Sequence, residues 1–224
     1  LGAWVGFSGT AQRAVLMGDL VVTEAELLPV EVAIDSQHLA VTGIHDHLVG
    51  ESPRMTYIHV HGEGAAVDLA RRLDRVLART ATPRGFAAPA SAPVTIDTAT
   101  VFGTLGTGGT ASGSVAQIVA ILVSTPVRLH GESVVPALAA GTPINIQAVT
   151  ADRFVATGDF AVTADRVSAL VGALVTHGIT VTAAHNHLLG ESPPLTFIHF
   201  WADGPPADVL AGLKAALDAA RAVR

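Results

Sequence analysis

One segment of this chain occurs twice. Residues 45–59, HDHLVGESPRMTYIH, recur at 185–199 as HNHLLGESPPLTFIH, at a gap-free offset of 140 and with ten of fifteen positions identical. Segments this alike fold into the same local structure, so the chain is constrained to two similar halves in contact. The repeat also gathers histidine. Of ten in the protein, four stand at His45, His47, His59 and His61, and three more at His185, His187 and His199. Histidine at such density reads first as metal chemistry.

An HxH pair puts two imidazoles on one face of a strand, because strand side chains alternate. The following GESP supplies the residues of a tight reversal, and MTYIHVH resumes a β-branched and aromatic alternation. A hairpin centred on Pro53 would set His47 opposite His59 and His45 opposite His61, bringing four imidazoles onto one patch. The second repeat would do the same with Trp201 in place of His61. A register shifted by one residue would separate the pairs.

The elements read as strand 12–22, helix 24–37, strands 40–49 and 55–62 and helix 65–79, then strand 152–162, helix 164–177, strands 179–189 and 195–202 and helix 206–222. Thr23 with Glu26 forms a capping-box pattern. Leu69, Leu73, Val76 and Leu77 mark the buried stripe of one terminal helix, and Leu210, Leu213, Ala216 and Leu217 that of the other. Strand 115–123 is expected as well. The expected fold is α+β: two β-α-β-β-α pseudo-repeats whose mainly antiparallel sheets pack face to face or as a barrel, with helices outside. Repeat one covers 1–80, an Ala/Pro linker 81–93, and repeat two 94–224. Residues 94–140 have no counterpart in repeat one, which is therefore expected to be N-terminally truncated.

Composition narrows the function. Half of the residues are apolar and 14% are charged, enough for a sizeable core. A net charge of −6 without a Lys/Arg cluster argues against a nucleic-acid partner. No apolar run approaches the ~20 residues of a transmembrane segment. With no cysteine there is no thiolate ligand or nucleophile, which fits an oxidising compartment.

Paired histidines favour metal ligation over a hydrogen-bonded polar cluster or a pH-sensing patch. The ligand candidates are His45, His47, His59, His61, His185, His187 and His199, with Glu51 and Glu191 as further ligands or orienting partners. Asp46 and Asn186, of opposite parity, are expected to be structural. Asp19 and Asp159, in matched GDL and GDF, are expected as turn or capping residues, and His38, His130 and His177 as surface or loop residues. An all-imidazole set suits copper, with zinc as the alternative. Arg54 could guide an anion, and His61 with Arg54 would make repeat one the tighter site.

The sequences MGDLVVTEAEL and VTGIHDHLVGESPRMTYIHVHGEG, followed by an Ala-rich helix, resemble the LppY/LpqO-like family of secreted bacterial proteins, a domain of unknown function present here in two tandem copies. The resemblance covers 1–79 and about 94–222, and departs at Asp46. It implies a bacterial protein of the periplasm or cell envelope and brings no activity with it. The spacing HxHxxxE is also similar to a first cupin motif, though no second motif follows. The leading expectation is a copper protein that acts on a small oxygen species, as a superoxide dismutase does. The alternatives are a zinc hydrolase, with Glu51 or Glu191 as general base, and a non-enzymatic metal carrier or envelope module. Expected partners are a small-molecule substrate and, through homo-oligomerisation or a cell-envelope complex, other protein chains.

Overall fold

A computed structural model describes residues 2–83, 94–138 and 140–221. The first half runs β1 (Trp4–Gly9), β2 (Ala14–Thr23), α1 (Glu24–Ser36), β3 (Ala40–His45), β4 (Met55–Gly64) and α2 (Ala66–Leu77). A connecting stretch adds α3 (Thr98–Leu105), β5 (Thr110–Ser112), β6 (Val115–Ala120), β7 (Arg128–Leu129) and β8 (Glu132–Ser133). The second half follows with β9 (Thr142–Thr150), β10 (Arg153–Val162), α4 (Ala164–Thr176), β11 (Thr180–His185), β12 (Glu191–Ser192), β13 (Thr196–Gly204) and α5 (Pro206–Arg221). From residue 84 onward, the expected linker lies outside the described residues.

Local chemistry accounts for these boundaries. Thr23 donates its backbone N–H to Glu26 Oε2 at 2.8 Å, closing the capping box at the start of α1. Asp97 Oδ1 accepts from the Ala99 and Thr100 amides, and Gly106, with φ of 65°, ends α3 in the left-handed conformation. Alternation along β2 sends Leu16, Leu20 and Val22 toward α1 and α2, where they meet Val30, Ile34, Leu69 and Val76. The same division in half two packs Phe160 and Val162 against Leu170, Leu174, Leu213 and Leu217.

The sheets are antiparallel, in the orders β1-β2-β4-β3 and β11-β13-β10-β9-β6-β5, with a small β12-β7-β8 sheet beside them. The fold is therefore α+β as expected, and its sheets do not close into a barrel. A third core joins the halves: Met17 from β2 meets Ala161, Leu188, Leu195 and Phe197 from half two, with Val127, Leu129 and Leu138 from the connecting stretch. Each sheet thus presents one face to helices and its other face to the seam.

The β3–β4 register differs from the expected hairpin. A bulge between Val41 and Gly43 pairs Gly43 with His59, and His45 stands opposite Tyr57. β3 also stops at His45 and β11 at His185, so both strands are shorter than expected and His47 and His187 belong to the loops that follow. A tight turn centred on Pro53 leaves no room for these loops, which need not preserve strand pairing.

Candidate metal centre

Strand alternation carries Asp19 on β2 and His59 on β4 to the seam as a directly opposed cross-strand pair. Asp159 on β10 and His199 on β13 form the matching pair in half two. These four residues face each other across the seam, joined by His45 and His185 at the ends of β3 and β11. One ring nitrogen from each of His45, His59, His185 and His199 lies within 4.8 Å of the others. The expected two separate sites are therefore one cluster, to which each half contributes two of four imidazoles.

The loop histidines cross over. His187 joins Asp19 and His59 of half one, while His47 joins Asp159 and His199 of half two. All these pairs obey the 140-residue offset, so the centre has the pseudo-twofold symmetry of the chain. His199 Nδ1 lies 2.8 Å from Asp159 Oδ1 and 3.4 Å from His47 Nδ1. His59 Nδ1 meets Asp19 Oδ1, whose partner oxygen accepts the Trp4 indole N–H at 2.9 Å.

Ring orientation follows from the partners of Nδ1. His45 Nδ1 faces the Asp46 carbonyl at 3.3 Å, and His185 Nδ1 faces the Asn186 carbonyl at 2.7 Å. Backbone carbonyls at Nδ1 favour the Nδ1–H tautomer for His45 and His185, which leaves their Nε2 atoms as bare lone pairs. His45 Nε2 and His59 Nε2 stand 2.5 Å apart, and His185 Nε2 and His199 Nε2 2.7 Å. Each contact is within hydrogen-bonding distance for one Nε2–H donating to the other ring, and the same nitrogens could hold a metal ion.

Electrostatics agrees with neutral, ligand-ready imidazoles. Burial, with neighbouring rings adding to it, depresses the pKa of His45, His59, His187 and His199, and burial takes His47 down to about 3. Burial also raises the Asp19 and Asp159 carboxyls, against the pull of nearby imidazoles. His47 Nε2 and His187 Nδ1 are buried with no hydrogen-bond partner among the described residues. Such orphaned atoms fit a site built for an ion or ligand.

Other expected site residues lie elsewhere. His61 shares the seam face of β4 but stands opposite Met17, beside Glu63 at 3.5 Å, and is not in the cluster. Glu51 and Glu191 accept the backbone N–H of Met55 at 3.1 Å and of Leu195 at 2.9 Å, bracing their turns rather than joining the histidines. Arg54 is exposed and paired with Asp46 at 2.5 Å. Asp19 and Asp159, expected in turns, are mid-strand members of the cluster. Their place on the face opposite Leu16, Leu20 and Val22, repeated at the 140-residue offset, was the signal in the sequence.

A cleft of about 770 Å³ opens beside the cluster, with Asp19, His47, Asp159 and His187 along its wall. Its opening is asymmetric. β7 pairs with β12 and covers the GESP turn of half two, whereas Glu51 of the matching turn in half one lines the cleft. Among the described residues no helix is long and apolar enough to cross a membrane.

Structural likenesses are distant. The regulatory subunit of aspartate kinase from Thermus flavus aligns over 98% of this chain and 97% of its own, at 11% identity and a TM-score of 0.26. EtuB from Clostridium kluyveri aligns over 97% and 85%, at 12% identity and a TM-score of 0.26. The trimeric bacterial microcompartment shell protein PduB covers the same shares at 9% identity and a TM-score of 0.26. Scores this low carry no argument about function. A comparison with curated proteins gives no match. One family, described as Domain of Unknown Function (DUF1259), matches residues 1–79 and 99–219, and with both halves covered the chain belongs to that family.

Proposed function

We propose that the cluster is a histidine-ligated copper centre with redox activity toward a small oxygen species. The observation that carries this reading is the set of four imidazoles whose Nδ1 atoms are held outward and whose Nε2 atoms meet. The donor set favours copper: four imidazoles without a thiolate suit a metal that tolerates nitrogen ligation in both of its oxidation states.

Copper bound there would supply one-electron chemistry. The chain itself fixes the rings: Asp19 and Asp159 orient His59 and His199 and offset part of the ion's charge. His47 and His187, each with one buried ring nitrogen that has no hydrogen-bond partner among the described residues, stand at the cleft wall beside the cluster. Arg54 has no part in this reading, because it is paired with Asp46 and lies outside the cleft lining. A zinc hydrolase is the second reading. It is supported by the two His/His/Asp groups and by Glu51, which lines the same cleft and could serve as general base. The lack of cysteine and the resemblance to secreted proteins support a place outside the cytoplasm.

Elemental analysis of protein from its native source separates the readings. Copper, with a paramagnetic resonance spectrum split by several nitrogens and lost in His59→Ala, is the expected result. Zinc in its place favours hydrolysis, and a protein that binds neither metal with its fold intact refutes the centre.

A further inference from the structure

We infer that the cleft beside the metal cluster binds an uncharged, polyhydroxylated ligand of the short-saccharide class. This inference goes beyond the proposed centre: it names an organic ligand held in the cleft beside it. The chain has two tryptophans and one tyrosine, and Trp4, Trp201 and Tyr57 all line this cleft. Trp4 is tethered through its indole N–H to Asp19, which orients the ring while 38% of the residue stays exposed. Tyr57 is 3% exposed, so the indoles of Trp4 and Trp201 supply the flat apolar faces suited to the C–H face of a sugar ring.

Part of the polar lining is uncharged. Gln117, Asn145, Gln147 and Thr157 stand on neighbouring strands of the large sheet, on its seam face. Gln117 donates to Asn145 Oδ1 at 2.9 Å, an arrangement that leaves Asn145 Nδ2 as donor and Gln117 Oε1 as acceptor for a ligand. Thr157 is 6% exposed, and its hydroxyl has no partner among the described residues, so the wall holds a buried polar atom awaiting a hydrogen bond. A volume of about 770 Å³ is within the range of about 300–1,000 Å³ common for small organic ligands.

Charge decides among ligand classes. Among the described residues no Lys or Arg lines the cleft, while Asp19, Glu51 and Asp159 do, so anions are disfavoured. These carboxylates also face the protein: Asp19 Oδ2 accepts the Trp4 indole N–H, Asp159 lies beside the His199 ring and Glu51 accepts the Met55 amide. A cationic ligand would compete with these contacts. The amides and the Thr157 hydroxyl match ligand hydroxyls.

Both tryptophans line the cleft, so intrinsic fluorescence reports its occupancy. The full chain, metal-free and metal-loaded, is titrated with cellotriose, maltotriose and tri-N-acetylchitotriose, and with trigalacturonate and choline as charged probes. A saturable fluorescence change with at least one neutral trisaccharide is expected, weakened about tenfold by Trp201→Ala and by Asn145→Ala. Should Trp201→Ala not fold, Gln147→Ala, on the exposed part of β9, carries the same expectation. No response to any neutral trisaccharide at millimolar concentration, or an equal response to either charged probe, overturns the inference. Saccharide binding by a protein that takes up no metal would sink the proposed centre alone, and metal uptake without saccharide binding would sink this inference alone.

Discussion

Replacing Asp159 by Asn tests whether the carboxylates tune the imidazoles. Asn Oδ1 can take the place of the carboxylate oxygen that now lies 2.8 Å from His199 Nδ1, so the shape is kept and only the charge is lost. The far nitrogen of the ring adds about 2 Å and a metal–nitrogen bond about 2.0 Å more, which sets the carboxylate about 7 Å from the ion. At an effective dielectric constant of about 20, one unit charge on a divalent ion at that distance is worth about 4.7 kcal/mol, an upper limit. Removal of an orienting partner typically costs 10–100-fold in metal affinity, about 1.4–2.8 kcal/mol, which is consistent. Asp159→Asn should therefore weaken copper binding by about 10–100-fold in a chelator-competition assay. Asp159→Ala, which also frees the ring, should cost more. Because burial raises the Asp159 pKa, the metal-free Asn variant should be no less stable than the parent. Symmetry extends the test: Asp19→Asn should cost a similar factor. Unchanged affinity in both Asn variants, with the fold intact, would refute the argument.

Acid should destabilise the metal-free protein. The unfolded chain protonates His47 below about 6.5 while the folded chain resists to about 3, so stability is full above pH 6.5 and falls between those values, by about 4–5 kcal/mol for that residue at most. His45, His59, His187 and His199 act in the same direction, and Asp19 and Asp159, whose pKa values are raised, act in the opposite one. Urea midpoints from pH 8 to 4 measure the balance, and a flat profile would contradict the neutral cluster. Gly43→Ala should cost about 1–3 kcal/mol and weaken metal binding, because a Cβ there would lie 2.7 Å from His59 Cδ2 and 3.1 Å from His185 Nδ1. Thermal melts and metal titration check it, and full metal affinity would show that the rings have room to move. His61→Ala should leave the copper content unchanged while His45→Ala lowers it; equal losses would mean that His61 reaches the centre after all.

Much of this protein is legible in its amino-acid sequence. The 140-residue offset specifies two like halves, period-two alternation places His59 and His199 on the face away from the helices, and the capping box at Thr23 fixes the start of α1 within a residue. These features are local: strand pleat, helix period and cap chemistry act over a few residues and leave their pattern in the sequence. The short sequence distance from His45 to His59 also makes their meeting readable, although the bulge at Gly43 sets a different register. Other decisions belong to packing. Whether each repeat closes its own site or both share one depends on how the seam faces dock, through Met17, Leu188, Leu195 and Phe197. Docking brings His47 to His199, 152 residues away, and makes Asp19 and Asp159, which read as turn residues in the sequence, partners of imidazoles. It leaves His61 and Arg54, the features that single out repeat one in the sequence, outside the cluster. No periodicity encodes contacts of that range. They come from complementary shape and burial over whole sheet faces, which only the assembled tertiary structure contains.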